Sequence, residues 1–221
     1  MFFWRMMVWM LTFEMNQLKN VTFAPEIFDT LNIIFRTFTR IFNLMLHPAK
    51  EWEMIAAENN SRKTVFVQFV LPLLCMITIA SIIGTWINTS RELYSVAYVL
   101  YWVGILWASL GAGLYFSAFL ITELMAHQVE TRDHNKSFAL MAYATGAAYL
   151  TITIVSLFPF FFELLVLAFY ACYLYWRGIP YLIRINGHKR MIYGLFSFII
   201  VLLIYSLMFF FFEKVLRAIL L

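Results

Sequence analysis

The densest group of side chains able to do chemistry is Glu123, His127, Glu130, Asp133 and His134. Glu123, His127 and Glu130 stand at i, i+4 and i+7, so a continuing helix would carry all three on one face. Imidazole and carboxylates on such a face could bind a divalent cation. The spacing is not His-Glu-x-x-His, however, and a one-dimensional pattern supplies no coordination geometry. The favoured reading is a solvated loop at a membrane edge, with neither metal nor cofactor. Glu163 is a second isolated acid, and ionisable groups at membrane depth are costly and often functional. It lies about one helical turn from Pro159, where it can face headgroups, and no Lys or Arg lies well inside an apolar stretch to partner it. Gly-x-Ser-x-Gly, His-Glu-x-x-His and glycine-rich phosphate loops are all missing from the sequence. The chain is therefore expected not to be an enzyme.

These residues are set among five long apolar stretches, approximately Val65–Ile87, Leu93–Leu124, Phe138–Phe158, Phe160–Trp176 and Met191–Phe212. Apolar residues make up 63% of the chain and charged residues 13%, against about 25% charged in a soluble domain. A hydrocarbon core about 30 Å thick needs about 20 apolar residues of helix, and each stretch meets or approaches that length. Lipid offers the backbone no hydrogen bonds, so such segments must be helical. Barrel strands would instead alternate strictly over about ten residues. The expected fold is all-α: a five-helix membrane bundle over residues 65–212, preceded by a cytoplasmic or interfacial region over 1–64 and followed by a short tail over 213–221.

Charge sets an orientation. The N-terminal region, the Met125–Ser137 gap and the Arg177–Arg190 gap together hold thirteen Lys and Arg, whereas the three alternate segments hold Arg91, Lys214 and Arg217. The positive-inside rule then places the N-terminus in the cytoplasm and the C-terminus outside, in an inner membrane. The net charge of +4 is read as attraction to anionic headgroups, and no nucleic-acid partner is expected. Cys75 and Cys172 both fall in apolar stretches and are read as small packing residues.

Residues 1–13 are apolar, with Arg5 the lone charge. They read either as an interfacial segment or as an extension upstream of a natural start at Met15. From Glu26 to Leu46 an amphipathic helix is expected: Leu31, Ile34, Phe35, Phe38, Ile41, Phe42 and Met45 recur at helical spacing. Arg36 and Arg40, four apart, share a face and could both reach phosphates. His47-Pro48 ends this helix, and a shorter one with Trp52 and Ile55 follows until Asn59-Asn60-Ser61. The pair reads as helices lying on anionic lipid or as a cytoplasmic cover on the bundle, and both can hold together.

Residues 138–176 are almost unbroken apolar sequence, and as one helix would exceed ~55 Å, nearly twice the hydrocarbon thickness. Pro159 is the available breaker, so Phe158-Pro159-Phe160 is expected to be a tight hairpin at the outer interface. In the second stretch Ser109, Gly113 and Ser117 repeat every four residues, and in the third Ala142 and Gly146 do so. Small residues at that spacing let helix backbones approach closely, and spans two and three are expected to meet along these stripes. Tyr170, Tyr173, Tyr175 and Trp176 are expected to form an interfacial aromatic belt.

The last third carries an identifying pattern. Phe138-Ala139-Leu140-Met141-Ala142-Tyr143 opens the third span and Pro159 closes it. Tyr170-Ala171-Cys172-Tyr173-Leu174-Tyr175-Trp176-Arg177-Gly178-Ile179-Pro180 ends the fourth, and Lys189-Arg190 precedes the fifth. This order resembles the Yip domain family, five-span proteins related to the Rab-GTPase-interacting membrane proteins of the secretory pathway. Pro48-x-x-x-Trp52-x-x-Ile55 is similar to a motif of its bacterial branch. The resemblance covers roughly Phe35–Phe212 and implies a cytoplasmic N-terminus and five helices. Its eukaryotic relatives act in vesicle traffic through Rab partners. That activity is not carried over, because this compact, Met- and Phe-rich chain with its short N-terminal region looks prokaryotic, where Rab proteins are absent. Physically, Gly178 and Pro180 are expected to terminate span four, leaving Arg177, Arg184, Lys189 and Arg190 to pair with headgroup phosphates at ~1 kcal/mol each. The leading expectation is a membrane-organising scaffold or adaptor contacting lipid, other membrane proteins or a second copy of itself. The alternative is a small transporter, channel or lipid-translocating protein using a groove among spans two to four.

Overall fold

The computed structural model describes residues 24–88, 96–125, 133–183 and 187–220, and its regular structure there is entirely helical. The helices are α1 (Ala24–Leu46), α2 (Pro48–Glu58), α3 (Arg62–Asn88), α4 (Val96–Met125), α5 (His134–Leu157), α6 (Pro159–Leu182) and α7 (Gly187–Leu220). Five of them, α3 to α7, are long and apolar enough to cross a membrane.

Local chemistry sets the breaks. His47, ahead of Pro48, takes φ −134° and ψ 59°, and Pro48 opens α2 where its missing N–H costs nothing. Asn59 ends α2 in the left-handed region at φ 45°, a conformation Asn tolerates better than most residues. Ser61 caps α3 by accepting from the Thr64 N–H at 3.2 Å. Asp133 caps α5, its Oδ1 accepting from the Asn135 and Lys136 amides at 3.0 and 3.2 Å. Phe158 leaves helical geometry at φ −127° and ψ 83°, and Pro159 opens α6. The chain therefore reverses at the expected proline. The first part of α6, Pro159–Phe169, is wound as a 3₁₀ helix, which lengthens it by about 0.5 Å per residue.

The fourth span does not stop at Gly178 and Pro180 as expected. Helix runs through both to Leu182, and no described glycine has positive φ. Pro180 is tolerated because it falls in the last turn, which the Ile183 N–H closes onto the Ile179 carbonyl at 2.9 Å. Gly178 makes room instead. A methyl there would lie 2.5 Å from Leu140 Cδ1 and 2.8 Å from the Trp52 ring.

The bundle is built around α5, of whose apolar stretch 67% is buried, against 11% for α6 and for α7. Helix α3 runs parallel beside it. Their starts are tied by the Arg62 amide donating to Asn135 Oδ1 at 3.3 Å, and Gly84 abuts the Ser156 backbone near their ends. Helices α4 and α7 run antiparallel, Tyr101 Oη donating to the Glu213 carbonyl at 3.3 Å.

The small-residue stripes have partners other than those expected. Gly113 faces the Tyr205 ring of α7, and Gly146 faces Phe69 of α3 and Ile41 of α1. Ser109 is buried and bonded to its own helix at the Ile105 carbonyl, while Ser117 and Ala142 are fully buried. Helices α4 and α5 meet through larger groups: Tyr149 Oη donates to the Leu110 carbonyl at 3.1 Å, and the Tyr115 and Phe138 rings lie 4.9 Å apart. The expected aromatic belt is largely turned inward. Tyr175 is buried on Ser197 Oγ at 2.8 Å, Trp176 packs over Gly194, and Tyr170 donates to the Met45 carbonyl at 2.9 Å. Tyr173 is exposed.

Candidate functional site

The chemistry gathers where α1 and α2 fold back onto α3 and α5. Ile41, Leu44, Trp52 and Ile55 are buried in the same core as the spans, so these two helices are part of the bundle's packing. Their polar residues frame a cleft of about 790 Å³. At its centre stands Arg40. Its Nε donates to Glu51 Oε1 at 3.0 Å, one terminal nitrogen donates to Glu58 Oε2 at 2.8 Å and Tyr143 Oη at 3.1 Å, and the other donates to Glu58 Oε1. The two-pronged grip on Glu58 uses the fork geometry of guanidinium. Asn60 Nδ2 adds a bond to Glu58 at 2.8 Å.

Tyr143 lies roughly 14 Å along α5 from its first residue at 1.5 Å per residue. The Arg40 charge is thus carried to the level of the spans, where an unpaired ion would be expensive. Two carboxylates make the placement tolerable. The Glu51 side chain is 4% exposed, that of Arg40 22% and that of Glu58 37%. Burial works against the Arg40 charge, but the hydrogen bond to Glu58, the Glu58 charge and the hydrogen bond to Tyr143 outweigh it and hold the guanidinium above its usual range. Hydrogen bonding to Arg40 holds Glu58 below its usual carboxylate range, against the opposing effect of partial burial.

A second device docks α1. Pro72 has no N–H to give to the Gln68 carbonyl, and the preceding turn, Phe66–Val70, is π-helical. The Thr37 hydroxyl of α1 supplies the missing donor at 3.0 Å.

The expected headgroup residues are distributed differently from one another. Arg36 is exposed at the cleft, with no carboxylate partner among the described residues. Arg40, one turn later, faces the bundle. Arg177 is half-buried, its Nε without a hydrogen-bond partner among the described residues. Arg184 and the side chains of Lys189 and Arg190 lie outside the described residues. Of the expected metal face, His127 and Glu130 also lie outside them, and Glu123 is half-buried. Asp133 is occupied as the cap of α5, and His134 stacks on Phe119 at 6.2 Å. Glu163 is exposed early in α6.

Sequence reading missed Glu51, Glu58 and Tyr143. A signal was available for the acids: Glu51, Ile55 and Glu58 stand at i, i+4 and i+7, so both carboxylates share the face that buries Ile55. Nothing local marks Tyr143 as their neighbour.

Five apolar helices, four of them packed around the buried α5, define a helical, multi-pass integral membrane protein. Its family follows from comparison with known proteins. The model of the Yip1 domain matches residues 42–208, and the chain belongs to the Yip1 domain family. No curated protein and no solved structure matched. The matched region includes Glu51, Glu58 and Tyr143 and begins just after Arg40.

Proposed function

We propose that this protein is a non-enzymatic scaffold or adaptor of the inner membrane, with its N-terminus in the cytoplasm and its C-terminus outside. It works through contacts with lipid and with other membrane proteins. The observation that carries this reading is the fixing of α1 and α2 onto the bundle. Arg40 binds Glu51 and Glu58, Thr37 binds Gln68, and Tyr170 binds Met45. Three ties from different helices turn an amphipathic segment into a rigid platform at one end of the spans, as a surface for partners requires. The space between α4, α5 and α7 is filled by Tyr149 and Tyr205, whose hydroxyls meet at 3.3 Å, which weighs against a conducting path there. The Lys and Arg asymmetry supports the orientation.

The test is affinity purification of the full chain from its native membranes, alongside reconstitution into liposomes. A scaffold retains specific membrane-protein partners and produces no ion or lipid flux. Flux that depends on this chain, without retained partners, would replace the scaffold with a transporter.

A further inference from the structure

The cleft beside Arg40 carries an uneven charge pattern. On one wall, Glu51 and Glu58 face the single charge of Arg40, which leaves that wall with one net negative charge. Arg36, which also lines the cleft, has no carboxylate partner among the described residues. Arg36 stands four residues before Arg40, ~6 Å along α1, and both line the same cleft. One cleft thus offers a place for a cation and a place for an anion, a short distance apart.

The geometry points to a binding site for the headgroup of a zwitterionic phospholipid bearing a primary ammonium, the phosphatidylethanolamine class. Its ammonium lies against the accessible Glu58 carboxylate, with the nearly buried Glu51 adding its charge from within the wall, and its phosphate lies against Arg36. Two carbons separate the phosphate ester oxygen from the ammonium nitrogen, so a single small headgroup carries both charges into one cleft. A primary ammonium has three N–H donors for carboxylate and amide oxygens, and Asn43 and Asn60 add amides to the lining. A trimethylated ammonium lacks those donors. A purely anionic headgroup satisfies Arg36 and leaves the negative wall without a counter-charge.

Position and burial agree with a lipid ligand. Gln68, Phe69 and Tyr143, from two membrane-spanning helices, form part of the lining, so the cleft reaches the level of the spans. Ile33, Phe35 and Met54 supply apolar surface beside the charges. Glu51 is 3% exposed, and charge interactions near so little water are stronger than on an open surface. The volume of about 790 Å³ is within the usual range for small-molecule sites. This inference rests on the membrane location of the bundle and on the lipid-contact half of the proposed function. It does not require a protein partner.

The test uses the purified full chain in mild detergent, titrated with short-chain phosphatidylethanolamine, phosphatidylcholine and phosphatidylglycerol and with soluble phosphoethanolamine. Binding is read by native mass spectrometry. The ethanolamine lipid is expected to bind about tenfold more tightly than either other lipid, a difference typical of one well-placed charged contact. Arg36→Ala should weaken it about tenfold with an unchanged Tm, since Arg36 is exposed and has no carboxylate partner among the described residues. Glu58→Gln should reduce the preference over phosphatidylglycerol. If that variant does not fold, Asn43→Leu, outside the ion cluster, should weaken the ethanolamine lipid in its place. Equal binding of the three lipids, preference for phosphatidylglycerol, or indifference to Arg36→Ala would overturn the assignment. Phosphoethanolamine binding as tightly as the lipid would overturn the lipid as occupant. Loss of lipid selectivity while membrane-protein partners still co-purify would sink this site and leave the scaffold standing.

Discussion

The hydroxyl of Thr37 donates to the backbone carbonyl of Gln68 at 3.0 Å, across 31 residues of sequence, and that carbonyl needs it because Pro72 has no N–H. A proline inside a spanning helix exposes a carbonyl that lipid cannot satisfy. Here the defect becomes the socket for the preceding amphipathic helix. Thr37 also donates to Ile33 of its own helix at 2.9 Å, so its single proton is shared between the two acceptors.

Thr37→Val keeps the shape of the side chain and removes the donor. The expected cost is about 1 kcal/mol, the scale of a hydrogen bond in a membrane protein, read as a lower Tm in detergent. In a Pro72→Ala background the backbone N–H is restored, and the same substitution should cost much less. Equal costs in both backgrounds would show that Pro72 and Thr37 are energetically unconnected.

Arg40 makes a larger prediction. Arg40→Met leaves Glu51 nearly buried with no counter-charge, and such breakages cost about 3 kcal/mol. Arg40→Lys should recover little, because an ammonium cannot reach Glu51, Glu58 and Tyr143 from one planar fork. Arg40→Met combined with Glu51→Met removes both buried charges and should regain most of the stability. Chemical denaturation of the four proteins checks this. A double variant as unstable as Arg40→Met would mean that the charges are not what is lost.

Acid should loosen the same joint. Because Arg40 holds Glu58 below its ordinary value of 4.5, the folded state binds that proton less readily than the unfolded chain. The stabilisation is therefore complete above about pH 4.5 and is lost as pH falls through the lowered folded value. Wild type should lose Tm on acidification through that window, and Glu58→Gln should be lower at neutral pH with a flatter acid limb. Parallel curves would remove Glu58 as the responsible group.

The extent to which this molecule was legible in sequence follows from how local each rule is. Five helices could be read because lipid leaves an apolar backbone no other choice, and Pro159 was the single breaker in residues 138–176. Helix α1 could be read from its period. The direction of Arg40 could not, since periodicity puts Arg36 and Arg40 on one face and the acids that separate them are on α2. Gly178 and Pro180 look like a terminator under a local rule. In three dimensions the glycine makes room for Trp52 and Leu140, and the proline falls within a turn that was ending anyway. Gly113 and Gly146 were recognisable as close-packing positions. Their partners, Tyr205 and Phe69, are long-range facts with no sequence signature.

Orientation is tested by labelling. In a background with Cys75 and Cys172 replaced, Lys214→Cys should react with a membrane-impermeant maleimide on intact cells, and Lys50→Cys only after permeabilisation. Both parent side chains are exposed, so reactivity reports the side of the membrane. The reverse pattern would invert the proposed topology and would contradict the Lys and Arg asymmetry.

The sharpest packing prediction concerns Gly178, because two effects of opposite sign compete there. In a helix interior Ala is better than Gly by about 1 kcal/mol. At Gly178 the added methyl would lie 2.5 Å from Leu140 Cδ1 and 2.8 Å from a Trp52 ring that is fully buried. Overpacking of that kind costs about 1–3 kcal/mol, so Gly178→Ala should be destabilising on balance. Gly111 is the internal control: a methyl there meets nothing within 4 Å, and Gly111→Ala should be neutral or stabilising. Trp52→Leu should relieve the clash and make Gly178→Ala less harmful than in wild type. If Gly178→Ala raises Tm as much as Gly111→Ala does, α2 is not seated on α6 at this position. The N-terminal helices would then be locked to the spans through Arg40, Thr37 and the Tyr170–Met45 bond, without this contact.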